Sequence, residues 1–418
     1  MSRLIFHIDA NSAYLSWEAT YRLQQGEKID LREIPSVIGG DEESRHGIVL
    51  TKSIPAKKYN IRTGETLHNA RMKYPEIVIV PPRYWLYIKC SSAMNKILLE
   101  YTPDIQRFSV DESFLDFSNM GNIYPHYIEL ANGIRERIKK ELGFTVNIGI
   151  SNNKLLAKVA SDFKKPDRVH TLFPSEIKDK MWPLPVEDLF MVGRATAAKL
   201  HNLNINTIGD LANYDLQILK NKFKSHGQVI WNYANGIESS EVRKSNYIEM
   251  KGIGNSTTTA FDVEDKETAH KVLLSLCETV SMRLRNSQNC CTVVSISIRG
   301  SDLIFYSRQK KLAVATDSTR KIYEISCYLF DNVWKGNPIR HLGVHITDFC
   351  GNDFYQSSLF DTFDYEKDKK INDTIDKIRL KYGSKAVVRS CFLHSGLSAM
   401  CGGMADGEED YPLMSSML

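Results

Sequence analysis

The chain predicts a multidomain α+β protein, and three observations carry that prediction. Strand and helix signals alternate from the N-terminus to about residue 172. Only helical signals follow, from Pro174 to about Tyr233. A second alternation, strand–helix–strand–strand–helix–strand, then runs from Gly254 to Phe349. Runs segregated in this way read as separately layered domains. The 418 residues leave room for several, at roughly one per 150 residues.

The elements follow in order. Leu4 to Asp9 is an apolar, strand-like run, and Ser12 to Leu23 has helical spacing and carries Tyr14 and Trp17. Short strands are expected at Ser36 to Ile38, Gly47 to Thr51 and Ile77 to Val80, the last stopped by Pro81-Pro82. Residues 85–101 are helical in period, and Phe108 to Phe117 reads as one strand. Tyr127 to Leu142 is a helix with Gly143 as its stop signal. A strand over Thr145 to Ile150 and a helix over Asn153 to Ser161 complete the first region.

The helical region is punctuated by Gly193, Gly209 and Gly227, and Ser239 to Tyr247 is polar enough to be a linker. Beyond it come a strand (Gly254 to Val263), a helix (Lys266 to Arg285), strands at Thr292 to Arg299 and Leu303 to Gln309, a helix (Asp317 to Asn332) and a strand (Arg340 to Phe349). That order predicts a small sheet covered on one side by two helices. An amphipathic helix near Asp364 to Tyr382 precedes a Gly-, Ser- and Met-rich end expected to be disordered. No internal repeat at a fixed period is apparent.

Composition narrows the function classes. With 42% hydrophobic and 25% charged residues the chain is ordinary for a soluble globular protein. No apolar run reaches the ~20 residues that cross a bilayer, and no secretory signal opens the chain. A net charge of +4 permits a nucleic-acid partner without demanding one, so any phosphate-binding surface must be local. The eight cysteines form no CxxC pair, and Cys290-Cys291 are adjacent. They read as reduced thiols of a cytoplasmic protein rather than as a zinc site or a disulfide framework.

The chemistry is concentrated in Ser109-Val110-Asp111-Glu112-Ser113-Phe114-Leu115-Asp116. Acids are depleted in strands, and here two stand side by side in an apolar run. The earlier run Leu4-Ile5-Phe6-His7-Ile8-Asp9 ends in a third acid. If the two strands are neighbours, three carboxylates converge on one sheet edge. At about 4 Å and an effective dielectric near 20, each like-charge pair costs on the order of 4 kcal/mol. A divalent cation relieves that cost, and hard oxygen ligands without His or Cys point to magnesium rather than zinc. The pattern suggests a carboxylate-held metal site for phosphoryl chemistry. The competing reading is that Asp111 and Glu112 are surface-facing strand ends; Asp116 reads as structural.

Taken together, His7-Ile8-Asp9-Ala10-Asn11-Ser12-Ala13-Tyr14 and Phe108-Ser109-Val110-Asp111-Glu112 resemble the two palm motifs of Y-family translesion DNA polymerases. The likeness spans about residues 3–350 and is nearest the bacterial branch, that of DNA polymerase IV and the DNA polymerase V catalytic subunit. It implies a right-hand polymerase with a palm of mixed sheet and helices (1–15 and 83–172) and fingers (16–82). A helical thumb with a helix–hairpin–helix (173–238), a linker (239–249) and an α+β little finger (250–350) would follow, then a clamp-binding motif and tail (351–418). By the same resemblance Asp9, Asp111, Glu112 and the Ala10 carbonyl hold two Mg2+ ions. The substrates would be primer–template DNA and dNTP, and the protein a monomer with no membrane partner. Low fidelity and low processivity are also implied.

Further positions follow from the resemblance. Tyr14 lies at the steric gate, where an aromatic ring under the sugar excludes a 2′-hydroxyl; an aromatic on an amphipathic helix can equally be core. Ser53-Ile54-Pro55-Ala56-Lys57 occupies the triphosphate-binding segment and departs from the usual Tyr and Arg. Lys57 keeps a point charge without the bidentate fork, and Ile54 donates no hydrogen bond, so weaker nucleotide binding is expected. Lys58 and Arg62 are readable as solvated charges. Ile38, Ile48, Leu50 and Thr51 fall where the fingers cover the nascent base pair, or are ordinary fingers core. Lys165, in Asp162-Phe163-Lys164-Lys165-Pro166, matches a triphosphate-contacting lysine. Lys154 and Lys158 can be just the solvated face of a helix.

Val192-Gly193-Arg194-Ala195-Thr196 resembles a helix–hairpin–helix that offers backbone amides to a DNA phosphate. Ala195 replaces its usual second glycine, and a plain helix–turn–helix is the alternative. In the last domain Arg299, Arg308, Lys310, Lys311, Arg320 and Arg340 are expected on one sheet face as DNA-backbone contacts, although charges also protect sheet edges. Gln356-Ser357-Ser358-Leu359-Phe360 resembles the pentapeptide that docks bacterial polymerases on the sliding clamp, through Gln356, Leu359 and Phe360. Two other readings compete. Gly39-Gly40-Asp41-Glu42 resembles a diguanylate-cyclase signature, but Glu43-Ser44-Arg45-His46 follows it and the segment reads as a turn. A DNA- and clamp-binding accessory protein would not need all three acids.

Overall fold

In the computed structural model of the chain, residues 3–42, 45, 47–243, 250–351 and 365–400 are described. They divide into two compact units. One comprises the chain up to Gly39 and from Val49 through the linker; the other comprises 250–400 with the described part of 40–48.

The first unit runs β1 (Ile5–Ala10), α1 (Ala13–Gln24), β2 (Ser36–Gly39), β3 (Val49–Lys52), α2 (Ile54–Lys57), α3 (Leu67–Lys73), β4 (Val78–Val80), α4 (Tyr84–Leu99), β5 (Ile105–Arg107), β6 (Glu112–Asp116), α5 (Tyr127–Leu142), β7 (Val146–Ser151), α6 (Lys154–Asp162) and β8 (Val169–Thr171). Four short helices follow: α7 (Arg194–His201), α8 (Ile208–Ala212), α9 (Leu216–Phe223) and α10 (Ser225–Ala234).

The main sheet has the order β5-β6-β1-β7-β8, antiparallel except for the β7–β8 pair. Helices cover both faces, so the central β1 is buried along its whole length and reads as an apolar run. Phe6, Ile8, Leu115, Ile148 and Ile150 pack on one side against α4 and α5, together with Trp17 of α1. Ile5 and Phe114 face the other side, where α6 and the α7–α10 helices close the core through Leu155, Leu156, Leu200 and Ile230. A smaller sheet, β3-β2-β4, carries α2 and α3 on one side around Val37, Val49 and Leu67. Its other side packs Ile38 and Val80 against Leu15 and Ala19 of α1.

Local chemistry sets the boundaries. Ser53, Thr66, Asn153, Thr207 and Asp215 each cap a helix start by accepting a backbone N–H. Gly143 ends α5 at φ 75°, a left-handed conformation that favours glycine. The strand expected over 108–117 is shorter, β6 alone, and a turn at 108–111 separates it from β5. The Ser109 hydroxyl accepts the amides of Asp111 and Glu112 at 3.3 and 3.1 Å, and those local bonds replace a ladder there. Asp111 therefore sits in the turn, and Glu112 begins β6.

The second unit is β9 (Gly252–Val263), α11 (Lys266–Asn286), β10 (Asn289–Gly300), β11 (Phe305–Thr316), α12 (Thr319–Val333), β12 (Ile339–Gly351) and α13 (Tyr365–Tyr382). Its antiparallel sheet, in the order β11-β10-β12-β9, buries Val294, Ile296, Leu342 and Val344 under α11 and α12. The region expected as a tail is, over 365–400, part of this unit. Arg285 holds Asp376 at 2.6 and 3.0 Å, and Glu278, almost wholly buried, is held by Arg379 at 2.6 Å and by Arg389. Packing, which the helical period alone does not reveal, makes α13 an outer layer. The Gln356–Phe360 motif and the Gly- and Met-rich end lie outside the described residues.

Candidate active site

Strand pairing brings the acids together. β1 and β6 are antiparallel neighbours with Asp9 directly opposite Glu112, and the Asp111 carbonyl accepts the Ala10 amide at 3.0 Å. Asp9, His7, Glu112 and Phe114 share the sheet face that α6 covers. Gly149, opposite His7 on β7, permits that cover: a Cβ there would stand 1.9 Å from the Ala157 carbonyl oxygen and 2.5 Å from the Ser161 nitrogen. The helix thus lies against the sheet with its backbone almost in contact, which delivers Lys158 and Ser161 to the acids.

Each carboxylate is engaged by a protein donor. Lys158 Nζ bonds Glu112 Oε1, and Lys165 Nζ bonds Asp9 Oδ2 and reaches Asp162 at 2.8 Å. The Ser109 hydroxyl donates to Asp111 Oδ1 at 2.6 Å. Lys158 also sits over the rings of Phe108 and Phe190, at 5.2 and 5.9 Å. Burial pushes Asp9 up to about 6; Lys165 opposes the shift and Glu112 adds to it. Burial likewise raises Asp111 and Glu112, against the Ser109 bond and the Lys158 charge respectively. Burial works against the ammonium of Lys165, yet Asp9 and Asp162 together hold it above the ordinary lysine range. The three acids therefore strain against their surroundings, Asp9 and Glu112 held by lysine cations and Asp111 by a serine hydroxyl.

His7 completes the floor. It is wholly buried, its Nδ1 is 2.8 Å from the Ser161 hydroxyl, and its Nε2 is 3.9 Å from Glu112 Oε1. Burial, then the charges of Lys158 and Lys165, hold its pKa well below the usual range, so the ring is neutral. Asn147, opposite Asp9 on β7, donates to the carbonyls of Ser161 and Lys164 at 3.0 and 3.1 Å. That anchor fixes the segment from which Lys165 reaches Asp9. Sequence reasoning missed His7 and Asn147, although each is a polar residue within a strand of apolar neighbours. Lys158 had been readable as solvated and is instead bound to Glu112. Lys154 is buried against Gln106 Oε1 and the Glu241 carbonyl, a structural position.

Among the described residues, no three His, Cys, Asp or Glu side chains are arranged to hold one ion as they stand. The donor set nevertheless fits magnesium. Three carboxylates, Asp9 buried and Asp111 and Glu112 partly buried, and the Ala10 carbonyl are hard oxygen donors, and lysine ammoniums now supply the positive charge such ions would bring.

Tyr14 is set beside this cluster by the turn into α1. Asn11 Nδ2 donates to Thr145 Oγ1 at 3.2 Å, and the Ser16 hydroxyl donates to the Asn11 carbonyl at 2.6 Å. The half-buried Tyr14 ring stacks on Tyr87 (4.3 Å, 9°) and meets Trp17 and Tyr84 at 6.0 and 6.3 Å. Leu50 packs partly buried beside it. Ile38 lies wholly inside the same cluster with no exposed surface, so it is core rather than a ligand contact. Thr51 pairs with Ile38 on β2, and Ile48 and Ile54 are exposed. Lys57 is exposed at the end of α2.

Gly193 is the N-cap of α7, with Arg194, Ala195 and Thr196 in its first turn and the Gly193 carbonyl accepting from Thr196 and Ala197 at 2.9 Å. In the second unit the expected single charged face is not found. Arg299 pairs with Phe305 on the open face, and Lys311 is on that side too. Arg308 and Lys310 alternate with them and pair with the core residues Ile296 and Val294, so they lie on the helix side. Lys310 stands 4.3 Å over the Tyr328 ring of α12. Arg340 sits at the irregularity between Ile339 and His341. Strand alternation divides these charges between faces.

Comparison with known proteins shows three family matches: the impB/mucB/samB family over residues 8–162, its C-terminal domain over 250–359, and the DNA polymerase-iota thumb domain over 187–238. DNA polymerase IV of Clostridium acetobutylicum is 50% identical over 393 residues, covering 94% of this chain and 99% of the relative. DNA polymerase IV of Acetivibrio thermocellus is 38% identical over 397 residues (94% and 98%), and DNA polymerase IV 2 of Bacillus subtilis 37% over 399 (94% and 95%). A solved Y-family DNA polymerase chimera, Dbh-Dpo4(243-245)-Dbh, shares the fold with a TM-score of 0.70 at 22% identity, over 84% of this chain and 100% of that one.

Proposed function

From the premise that the chain belongs to the Y family of DNA polymerases and is a DNA-directed DNA polymerase, we propose that it extends a primer 3′-hydroxyl by two-metal phosphoryl transfer during translesion synthesis, with low fidelity and low processivity. The observation that carries the chemistry is Asp9 paired in register with Glu112, with Asp111 at the turn beside them. Asp9, Asp111, Glu112 and the Ala10 carbonyl would hold two Mg2+ ions. When bound, these would activate the primer hydroxyl and neutralise the triphosphate and its leaving pyrophosphate.

The chain's own groups prepare the site. Lys158 and Lys165 neutralise Glu112 and Asp9 in the absence of metal, and Lys165 is then available to a triphosphate oxygen. Neutral His7 lies beneath Glu112 without adding charge. The Tyr14 ring closes the space a 2′-hydroxyl would need. Gly193 to Thr196 would meet the DNA backbone, with Arg299 and Arg340 as further contacts and Arg308 and Lys310 at the sheet edge. Gln356, Leu359 and Phe360 would dock the protein, as a cytoplasmic monomer, on the sliding clamp. Among the described residues no helix is long and apolar enough to cross a membrane.

Family membership and the polymerase relatives leave the cyclase and accessory-protein readings without support. Primer extension opposite an abasic site tests the translesion role. The purified protein should insert and extend at the lesion. Termination one nucleotide before it, with normal synthesis on undamaged template, would refute that role.

A further inference from the structure

Two cysteines of the second unit face each other across its sheet. β10 and β12 pair without a shift from Asn289, opposite Gly351, to Arg299, opposite His341, and Cys290 falls directly opposite Cys350. Residues paired in this way project from the same face of the sheet. Their Cα atoms lie about 4.5–5.5 Å apart, inside the roughly 4.4–6.8 Å that a disulfide spans. Both are free thiols, Cys290 buried and Cys350 exposed near the end of β12.

The register also separates this pair from the neighbouring thiols. Cys291 is opposite Phe349 and belongs to the core under α11 and α12, where its Sγ donates to the Thr316 carbonyl at 3.4 Å. Cys277, on α11, donates to the Ser326 hydroxyl at 3.6 Å, and Cys90 belongs to the first unit. Across the ladder from Cys290 stands Cys350 alone. Burial, then Asp317 and Cys350, pushes the Cys290 thiol up to about 12, so it stays protonated and Cys350 is the group that meets a solute.

We propose that Cys290 and Cys350 form a peroxide-responsive modification site, which closes to a cross-strand disulfide when hydrogen peroxide reaches Cys350. Cys350 gives up its proton, and its sulfur attacks one peroxide oxygen. An S–O bond forms, the O–O bond breaks, and the departing hydroxide takes up that proton as water. The Cys290 sulfur then attacks the sulfenic sulfur of Cys350. The S–S bond forms, the S–O bond breaks, and the Cys290 proton leaves with the hydroxyl as a second water. The two thiols together lose two electrons, and one peroxide is reduced to two waters. The bond joins β10 to β12 and closes the chain between them, β11 and α12 included, into one loop. Such a loop restricts the unfolded chain and stabilises the unit when the native register is undistorted. The site uses none of the groups of the polymerase chemistry.

The test exposes the full folded chain to hydrogen peroxide, removes the oxidant, unfolds the protein in iodoacetamide and maps its cysteine peptides without reduction. Wild type, Cys350→Ser and Cys391→Ser are compared, with melting temperatures measured before and after oxidation. Wild type should yield a peptide pair joining Cys290 to Cys350, and dithiothreitol should restore both thiols. The bridged second unit should melt about 5 °C or more above the reduced one. Cys350→Ser, changed at an exposed position, should fold like wild type and leave Cys290 open to alkylation. Cys391→Ser, which lacks a different exposed thiol, should form the bridge as wild type does. Alkylated Cys290 in peroxide-treated wild type overturns the proposal. So does a Cys350 that ends as sulfinic acid or bridged to any thiol but Cys290. A bridged protein that melts no higher than the reduced one also overturns it, because the pair would then have to leave its native register to bond.

Discussion

Replacing Tyr14 by alanine should abolish most discrimination against ribonucleotides, and the structure bounds the size of the effect. The ring is held by three aromatic neighbours: Tyr87 stacked at 4.3 Å, Trp17 at 6.0 Å and Tyr84 edge-on at 6.3 Å. At about 0.5–1.5 kcal/mol per aromatic pair, displacing the ring costs roughly 1.5–4.5 kcal/mol. A ribonucleotide that enters must meet that cost, so the gate is worth on the order of 10- to 1,000-fold in selectivity. The assay is the ratio of kcat/KM for a dNTP and its rNTP on one template. Tyr14→Ala should lower the ratio by that factor, chiefly by admitting the rNTP. Tyr14→Phe keeps the ring and should leave the ratio near wild type. An Ala variant whose ratio stays within about threefold of wild type would refute the argument.

Three other outcomes are expected. Glu278→Ala should destabilise the second unit by ~3–5 kcal/mol, because it leaves the guanidinium of Arg379 buried without its partner. Urea unfolding with hydrogen exchange in α13 reads this, and a loss below ~1 kcal/mol contradicts it. Asp210 accepts the amides of Thr207 and Asn206, which hold its carboxyl below the usual range. A depressed folded pKa stabilises above the unfolded value, near 3.9, and the benefit disappears as pH falls through the folded value. Asp210→Ala should therefore cost ~1 kcal/mol at pH 7, with the gap to wild type closing below about pH 4; a gap unchanged down to pH 2 argues against it. Leu359→Ala with Phe360→Ala should remove stimulation by the sliding clamp and spare basal synthesis, and persistent stimulation would show that the peptide does not dock.

Much of the site was legible because strand chemistry is strict. An acid pair in an apolar run had to be compensated, and the register of β1 against β6 places Asp9 where the sequence pattern needed it. What escaped depends on packing between distant segments. Lys158 looked like any helix-surface lysine until Gly149 allowed α6 down onto the sheet. The turn at Ser109 was hidden because a serine hydroxyl can replace a ladder bond without changing the apolar pattern. The charged strands misled for the converse reason: Arg308 and Lys310 alternate with Arg299 and Lys311, and counting charges ignores which side of the sheet each meets. Nor does the α13 period show that Arg379 and Asp376 would be buried against α11.

The central claim is that Asp9, Asp111 and Glu112 hold the metal ions that do the chemistry. Single-turnover incorporation of one dNTP, by wild type and by Asp111→Ala with Glu112→Ala, at saturating Mg2+ and with primer–template binding measured in parallel, tests it most directly. The double variant should bind DNA like wild type and lose at least ~10³-fold in rate, about 4 kcal/mol of transition-state stabilisation. Incorporation within tenfold of wild type by a folded, DNA-bound double variant would contradict the account.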